Sequence, residues 1–301
     1  MDELRLSHNK PRIPAPDRKW WDVGVRTLWA AILIPCVLLP TWLGGLWFVG
    51  LVAFGVVVVA DEWCRLVFSP RATLQRPLHI MAGLTGAFLP LLASMTVVCF
   101  SLVLLWGLSV ALLLCERCKD GPHRHDRYRG GVWGLLGIAY IGVFALSMVV
   151  LRFYTPQGLS VVIWLFAIVW ITDSAAYFCG RLIGGVRFAP RISPAKTWAG
   201  AAGGLVAACI APVVVAAFKG ATVSTAPIVV AGMLSIASQA GDLIESALKR
   251  SVKVKDSGSL IPGHGGMLDR VDGLVAAAIV AMVITIAQRG LAPAATGPIV
   301  W

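Results

Sequence analysis

Long apolar runs, separated by charged or Pro/Gly-rich breaks, recur along this chain and restrict what it can fold into. Of its 301 residues, 58% are hydrophobic and only 14% are charged, whereas an average soluble domain carries roughly 25% charged residues. A helix needs about 20 apolar residues to cross a bilayer, and lipid forces its backbone groups to hydrogen-bond within the segment. The sequence therefore predicts an all-α polytopic integral membrane protein.

Nine apolar runs are long enough, or nearly so, to be transmembrane helices. The break between the third and fourth runs, at residues 93–96, is weak, so a count of eight spans stays open. Residues 1–26 begin with a polar, proline-containing stretch and are predicted to form a tail, followed by one transmembrane domain over residues 27–301. The predicted spans are residues 27–40, 43–60, 78–94, 96–115, 131–151, 159–178, 200–218, 226–247 and 273–288.

The basic residues predict the orientation of these spans. With nine spans, 23 of the 26 Lys and Arg residues fall on one side, and only Arg152, Lys219 and Arg289 fall on the other. Cytoplasmic loops of membrane proteins carry an excess of Lys and Arg, so the N-terminus and the loop at residues 246–272 are predicted to be cytoplasmic. The net charge of +11 lies in loops next to the membrane, which favours anionic lipid heads over nucleic acid as the partner.

The loop at residues 246–272 concentrates charge and glycine between two apolar runs. Lysine and arginine side chains suit phosphate groups, and carboxylates are the hard oxygen ligands that magnesium prefers. Gly265 and Gly266 follow His264, and glycines there allow a positive φ or a close approach of backbone N–H groups to an anion. A nucleoside triphosphate with its metal ion fits this inventory. The charged residues concerned are Lys249, Arg250, Lys253, Lys255, Asp256, Asp269 and Asp272.

Two carboxylates precede this loop on one helical face. Asp242 and Glu245 lie three residues apart, where they would repel each other unless a cation stabilised them. Glu245 has Lys249 four residues later, so a structural ion pair competes with a metal role for this residue. Asp242 has Ser246 at that spacing instead of a cation, which makes Asp242 the better candidate for a metal ligand.

A second polar patch surrounds the end of the sixth run. Asp173 lies near the cytoplasmic end of that run, where an ionisable group is a functional candidate and an interhelical hydrogen bond is the structural alternative. Ser193-Pro194 is a turn signal that could also cap the next helix. Lys196 precedes that helix and would either contact a phosphate or extend to the membrane interface.

The seven cysteines are scattered and indicate no disulfide framework. Two cysteines and two histidines in a C-x2-C-x4-H-x-H pattern could bind zinc, but this spacing matches no common zinc module. A solvated basic loop is therefore the favoured interpretation. The residues concerned are Cys115, Cys118, His123 and His125.

Residues 246–272 resemble the full signature of the phosphatidate cytidylyltransferase family, the CDP-diacylglycerol synthases. A pattern of this length with so many polar positions is highly specific. The Asp173 and Ser193–Trp198 patches and the multi-span layout resemble the family too, so the similarity covers most of the chain after the tail. The matching signature residues are Ser246, Leu248, Lys249, Arg250, Lys255, Asp256, Gly258, Ile261, Pro262, His264, Gly265, Gly266, Met267, Asp269, Arg270, Val271 and Asp272.

The resemblance implies that CTP and phosphatidate react to give CDP-diacylglycerol and pyrophosphate, with active-site loops near residues 173–199 and 246–272 facing the cytoplasm from a bacterial inner membrane. It implies a magnesium ion and suggests a second cation on the same carboxylates. It also implies a polar cavity open to the cytoplasm and a lateral gap for the diacyl lipid.

The resemblance implies different roles for the residues of the site. Asp242 and Asp269 are the expected metal ligands, with Asp272 a further ligand or an orienter of Arg270. His264 is expected either to donate to a phosphate oxygen or to make a structural hydrogen bond. Expected catalytic residues are Lys249, Arg250, Lys255, His264 and Arg270, and expected substrate-binding residues are Asp173, Ser193, Lys196, Ser246, Gly265 and Gly266.

The chain departs from the family pattern at Ala195 and Ala199, where a lysine and a glutamate are usual. This departure keeps a catalytically altered, lipid-binding paralogue open as an alternative. A CTP-dependent lipid kinase would need the same substrate and metal chemistry, and it is a second alternative. A transporter is disfavoured, because no repeat is visible and the charge clusters on one side. The oligomeric state stays open, a homodimer included.

Overall fold

The computed structural model describes residues 18–68, 74–119, 124–222, 224–254, 256–258 and 265–291. Within these residues the chain forms nine helices and one two-stranded hairpin. In chain order they are α1 (Arg18–Leu43), α2 (Gly45–Val67), α3 (Gln75–Leu92), α4 (Met95–Lys119), α5 (Arg124–Phe153), α6 (Gly158–Leu182), β1 (Arg187–Ala189), β2 (Ser193–Thr197), α7 (Trp198–Phe218), α8 (Thr225–Ser251) and α9 (Leu268–Leu291).

Each predicted span coincides with one of these helices, and the all-α class is confirmed. The weak break between the third and fourth runs is a true interruption, because α3 ends at Leu92 and α4 begins at Met95. Seven helices among the described residues, namely α2 and α4 to α9, are long and apolar enough to cross a bilayer. The chain is thus an integral membrane protein, although length and composition alone support fewer than the nine predicted crossings.

The first helix begins earlier than predicted. Helix α1 starts at Arg18, inside the segment predicted as a tail, while residues 1–17 lie outside the described part of the chain. The apolar part of α1 is Ala31–Leu43, which is shorter than the roughly 20 residues that cross a bilayer.

Most closely packed helices are neighbours along the chain, and the pair α3 and α5 is the main exception. The closest partnerships are α6 with α7, α3 with α5 and α8 with α9, and side chains such as Phe48, Leu165 and Leu234 are fully buried between helices. Large apolar side chains cover the outside of the bundle, Leu92 at 83% and Phe218 at 89% exposed. Such a surface is stable in contact with lipid and would be unusual in water.

Small residues bring two helix pairs into close contact. A Cβ atom at Gly241 of α8 would lie 2.5 Å from the Asp272 carbonyl oxygen of α9, and a Cβ at Gly204 of α7 would lie 2.9 Å from the Thr172 carbonyl oxygen of α6. Membrane helices commonly use small residues in this way, since lipid supplies no hydrophobic drive to association. The close approach of α8 and α9 places the polar ends of these two helices side by side.

The hairpin between α6 and α7 was not predicted. Ser193 was expected in a turn or as a helix cap, and it instead begins strand β2, which pairs antiparallel with β1. The cap of α7 is Thr197, whose Oγ1 accepts a hydrogen bond from the Gly200 N–H at 3.1 Å. Strands of three and five residues are too short to show a clear alternation of polar and apolar residues.

The close contact at Gly241 yields a first testable prediction. Gly241→Ala should displace α9 or strain α8, because the added methyl group meets backbone, and such overpacking costs about 1–3 kcal/mol. We expect a lower melting temperature in detergent, measured by intrinsic tryptophan fluorescence. The matched control is Gly55→Ala in α2, where no atom lies within 4 Å of an added Cβ. Equal melting temperatures of the two variants would contradict the packing described here.

Candidate active site

Three carboxylates meet at the polar ends of α8 and α9. Asp242 and Glu245 project from the same face of α8, since they lie three residues apart, and Asp272 projects from α9. One carboxylate oxygen from each residue lies within 4.8 Å of the other two. We refer to these three residues as the carboxylate cluster.

Two lysines compensate the charge of this cluster. Lys196 of β2 places its Nζ 2.6 Å from Asp242 Oδ2, and Lys249 places its Nζ 2.7 Å from Glu245 Oε2. Asp242 therefore has a cationic partner after all, supplied by the hairpin and not by its own helix. Glu245 both pairs with Lys249 and belongs to the carboxylate cluster. A structural ion pair and a role as metal ligand are therefore compatible for this residue.

Asp269, an expected metal ligand, lies outside the carboxylate cluster. Its Oδ1 accepts from Lys249 Nζ at 2.8 Å, and its Oδ2 accepts from the backbone N–H groups of Ser257 at 3.1 Å and Gly266 at 3.0 Å. The Ser257 N–H also lies 3.3 Å from Oδ1. A carboxylate offers about four lone-pair positions, so a cation bound by Asp269 would compete with these three donors for the carboxylate oxygens.

The glycines of the signature loop have the backbone properties expected from the sequence. Gly265 adopts a φ of 81°, which few other residues tolerate. The Gly266 N–H does approach an anion closely, but this anion is the Asp269 carboxylate of the same chain. These two glycines, expected to bind substrate, thus organise the start of α9 in the described structure.

A cavity of about 560 Å³ adjoins Asp242. Helices α6, α7 and α8 and the hairpin form its walls, and its volume lies within the usual range of about 300–1,000 Å³ for ligand pockets. It brings together the predicted residues Asp173, Ser193 and Lys196, which are separated in the sequence by up to 23 positions. Tyr177, Arg181, Phe188, Ala195 and Gln239 also line it.

The remaining predicted residues hold the site together or lie elsewhere. Ser246 Oγ donates to Asp242 Oδ1 at 3.3 Å, and Arg250 Nε donates to the Ile192 carbonyl oxygen at 3.2 Å, which ties the hairpin to α8. Arg270 is exposed in the first turns of α9. Lys255 and His264 lie outside the described residues, as do the side chains of the C-x2-C-x4-H-x-H pattern, namely Cys115, Cys118, His123 and His125.

Sequence reasoning did not single out two cavity residues. Gln239 lies three residues before Asp242, so the same helical spacing that linked Asp242 to Glu245 could have indicated it. Arg181 ends the polar patch that begins at Asp173 but was not proposed as a site residue, and its Nη1 donates to Tyr177 Oη at 2.7 Å. The sequence carries no signal that brings Arg181 and Asp242 to the same cavity.

The carboxylate cluster has the composition of a divalent cation site. Its three residues supply only hard oxygen donors, which suit magnesium. Glu245 is 1% exposed, and its Oε1 has no hydrogen-bond partner among the described residues. A buried carboxylate oxygen without a donor is costly unless a cation is bound, so these residues fit a bound metal ion.

Comparison with known proteins agrees with this geometry. The sequence profile of the Cytidylyltransferase family matches residues 24–287, which is most of the chain. The chain belongs to this family. Phosphatidate cytidylyltransferases of Brucella suis and Brucella melitensis are each 42% identical to it over 263 residues, covering 85% of this chain and 91% of theirs. The phosphatidate cytidylyltransferase of Haemophilus influenzae is 46% identical over 126 residues, covering 40% of this chain and 44% of that protein.

The bridging position of Lys249 leads to a second prediction. Lys249→Met should leave Glu245 and Asp269 as uncompensated carboxylates in a site where the lysine is only 14% exposed. Removal of one partner from such a buried pair costs about 3–5 kcal/mol, so we expect a lower melting temperature in detergent. Part of the loss should be recovered in Lys249→Met/Glu245→Gln, which removes one of the two uncompensated charges.

The matched control for this experiment is Lys253→Met, because Lys253 follows Lys249 closely in the chain and is exposed. A Lys249→Met protein as stable as the Lys253→Met protein would show that the ammonium group does not compensate the two carboxylates.

Proposed function

We propose that this protein transfers the cytidylyl group of CTP to phosphatidate. A phosphate oxygen of phosphatidate attacks the α-phosphorus of CTP, a new P–O bond forms, and pyrophosphate leaves with the electron pair of the broken bond. The second pKa of a phosphate monoester is about 6, so the attacking group is largely ionised at neutral pH. The site therefore has to neutralise and align two anions more than it has to remove a proton.

The observation that carries this proposal is the junction between the carboxylate cluster and the cavity. Asp242 belongs to both, so a metal ion held by the cluster would lie at the edge of a space large enough for a nucleotide. Family membership and the similarity to named phosphatidate cytidylyltransferases over 85% of the chain support the same reaction. They favour it over a lipid kinase or a non-catalytic paralogue, even though Ala195 lies on the cavity wall.

We propose that Asp242, Glu245 and Asp272 hold the magnesium ion. When bound, magnesium would act as a Lewis acid that neutralises the triphosphate and polarises the reacting phosphoryl group. The second cation that the family resemblance suggests would share these carboxylates. Asp269 stays a predicted ligand, and a metal ion on it would compete with its present donors, of which Lys249 is the charged one.

The cavity residues divide into donors and acceptors. Lys196 and Arg181 lie on the cavity wall and would neutralise phosphate oxygens of CTP or phosphatidate. Asp173 can accept hydrogen bonds from the hydroxyl or amino groups of the nucleotide. We propose that Lys196 exchanges its contact with Asp242 for a substrate phosphate once a metal ion neutralises this carboxylate.

A second, apolar groove offers a route for the lipid. Its volume is about 650 Å³, and it runs along α6 and α7, where Ile171 and Ala207 lie nearest to the polar cavity. Ile171 lies two residues before Asp173 of the polar cavity, which is about 3 Å along a helix. We propose that an acyl chain of phosphatidate occupies this groove while its phosphate reaches Lys196.

We propose that the reaction takes place at the cytoplasmic face of a bacterial inner membrane. The ends of α6 and α8 and the start of α7 and α9 meet in one site, and the loops that join them, with the helix ends beside these loops, carry nine of the 26 Lys and Arg residues. The positive-inside rule assigns such loops to the cytoplasm, where CTP is available.

A third prediction tests the reaction and the metal ligands together. Purified protein in detergent with CTP, phosphatidate and magnesium should release pyrophosphate and form CDP-diacylglycerol, and chelation of magnesium should abolish both. Asp242→Asn and Asp272→Asn should each lose more than about 100-fold in kcat/KM, because even groups that only support metal ligands contribute about 10–100-fold. Asp61→Asn in α2 is the control carboxylate, since Asp61 pairs with Arg65 and Arg76 away from the cluster.

Each outcome of this assay distinguishes a different claim. Release of CDP in place of pyrophosphate would favour the lipid kinase. Unchanged activity of Asp242→Asn would contradict the metal assignment, and absence of pyrophosphate from the parent protein, where a related enzyme is active, would contradict the function. In Asp269→Asn, a higher magnesium concentration at half-maximal rate would support ligation by Asp269, whereas a parental magnesium requirement would contradict it.

The proposed orientation yields a fourth prediction. In spheroplasts, a membrane-impermeant maleimide should label Lys219→Cys at the end of α7 without permeabilisation, because this residue is exposed on the side opposite to the site. Lys253→Cys should react only after permeabilisation. The label on the parent protein, which has seven cysteines, provides the background to subtract. The reverse pattern of labelling would overturn the orientation.

A further inference from the structure

Glu62 is a buried carboxylate on α2 that neither the signature nor the carboxylate cluster includes. It is 6% exposed and lies near the C-terminal end of α2, between Asp61 and the buried Trp63. A glutamate is almost never fully buried unless its charge is compensated. The groups that contact the Glu62 carboxylate therefore explain how a charged side chain can be buried at this position.

The partners of Glu62 are all in or next to the signature loop. Its Oε1 accepts from the Met267 N–H at 2.9 Å, and its Oε2 accepts from the Leu268 N–H at 2.8 Å and from Ser257 Oγ at 3.2 Å. The two backbone donors stand at the start of α9, where a helix leaves N–H groups without partners and carries positive partial charge. Glu62 thus caps α9 from another helix, about 200 residues earlier in the chain.

Two glycines of the signature make room for this carboxylate. A Cβ at Gly258 would lie 2.8 Å from Glu62 Oε1, and a Cβ at Gly266 would lie 2.6 Å from Glu62 Oε2. The Gly266 position would also bring a Cβ within 2.1 Å of Ser257 Oγ. A residue larger than glycine at position 258 or 266 would therefore collide with the Glu62 carboxylate.

Ser257 connects Glu62 to the site. Its hydroxyl donates to Glu62, while its backbone N–H donates to Asp269. Asp269 in turn contacts Lys249, which pairs with Glu245 of the carboxylate cluster. A continuous chain of polar contacts thus runs from α2 through the loop to the cluster.

We propose that Glu62 is a positioning residue for cytidylyl transfer, which holds the start of α9 and residues 256–258 and 265–267 of the signature loop so that Asp269 meets Lys249 and Asp272 joins Asp242 in the carboxylate cluster. The expected effect of Glu62 on the reaction rate rests on the proposed function, whereas its contacts with the loop and the start of α9 do not depend on that function. Glu62 contacts the loop backbone and would act on substrate only through the residues that this loop carries.

The test compares Glu62→Gln with Asp61→Asn in the full-length protein. Glutamine keeps the size of the side chain, but its amide NH2 cannot accept from an N–H group, so one backbone donor at the start of α9 loses its partner. Hydrogen exchange followed by mass spectrometry should show faster exchange of the Met267 and Leu268 amides in Glu62→Gln and parental exchange in Asp61→Asn. The melting temperature in detergent should be lower for Glu62→Gln than for Asp61→Asn, because a buried N–H group without an acceptor costs about 1–3 kcal/mol.

The kinetic result should separate positioning from a general loss of structure. We expect kcat/KM of Glu62→Gln to fall about 10- to 100-fold, as for other groups that support metal ligands, while Asp61→Asn retains parental activity. The magnesium concentration at half-maximal rate should rise in Glu62→Gln only. Parental exchange at Met267 and Leu268, or a parental kcat/KM with a parental magnesium requirement, would overturn the proposal.

A second variant keeps the test decisive if Glu62→Gln does not fold. Ser257→Ala retains both backbone contacts of Glu62 and removes only the hydroxyl link, so it should fold and lose about 10-fold in kcat/KM. Parental activity of Ser257→Ala would then overturn the proposal. Should the parent protein itself transfer no cytidylyl group, the proposed function would fail, and the exchange measurement would still decide whether Glu62 orders the start of α9.

Discussion

The close placement of Asp242, Glu245 and Asp272 is the constraint on which the rest of this molecule depends. Three carboxylates within 4.8 Å of one another repel strongly where water is scarce, so cations have to be supplied around them. Lys249 comes from the same helix and Lys196 from the hairpin between α6 and α7. The ion pair between Lys196 and Asp242 thus holds the hairpin against α8.

The helix packing serves the same arrangement. Gly241 lets α8 approach the backbone of α9 at Asp272, and Tyr140 of α5 donates from its hydroxyl to the Asp272 carbonyl oxygen at 3.2 Å. The polar groups collect at one end of a bundle whose outer surface is apolar. An enzyme that joins a water-soluble triphosphate to a membrane lipid needs such a boundary, because neither substrate can move far into the solvent of the other.

Much of the fold could be predicted, because hydropathy is a local property of the chain. Each predicted span coincides with a helix, and even the weak break before Met95 is real. The prediction was poorer where the deciding contacts are distant in sequence. The hairpin is too short to show a periodic pattern, the partner of Asp242 lies 46 residues earlier at Lys196, and Glu62 had no signal at all, since its partners lie about 200 residues away.

The sequence by itself determined the membrane class, the helices and the kinds of polar residue that the site contains, because hydropathy and residue type need no knowledge of neighbours in space. Only the tertiary structure decided which of these residues meet. It grouped Glu245 with Asp242 and Asp272, and it engaged Asp269 with Lys249 and backbone amides instead. The physical reason is that charge compensation depends on distance across helices, which a linear order of residues does not specify.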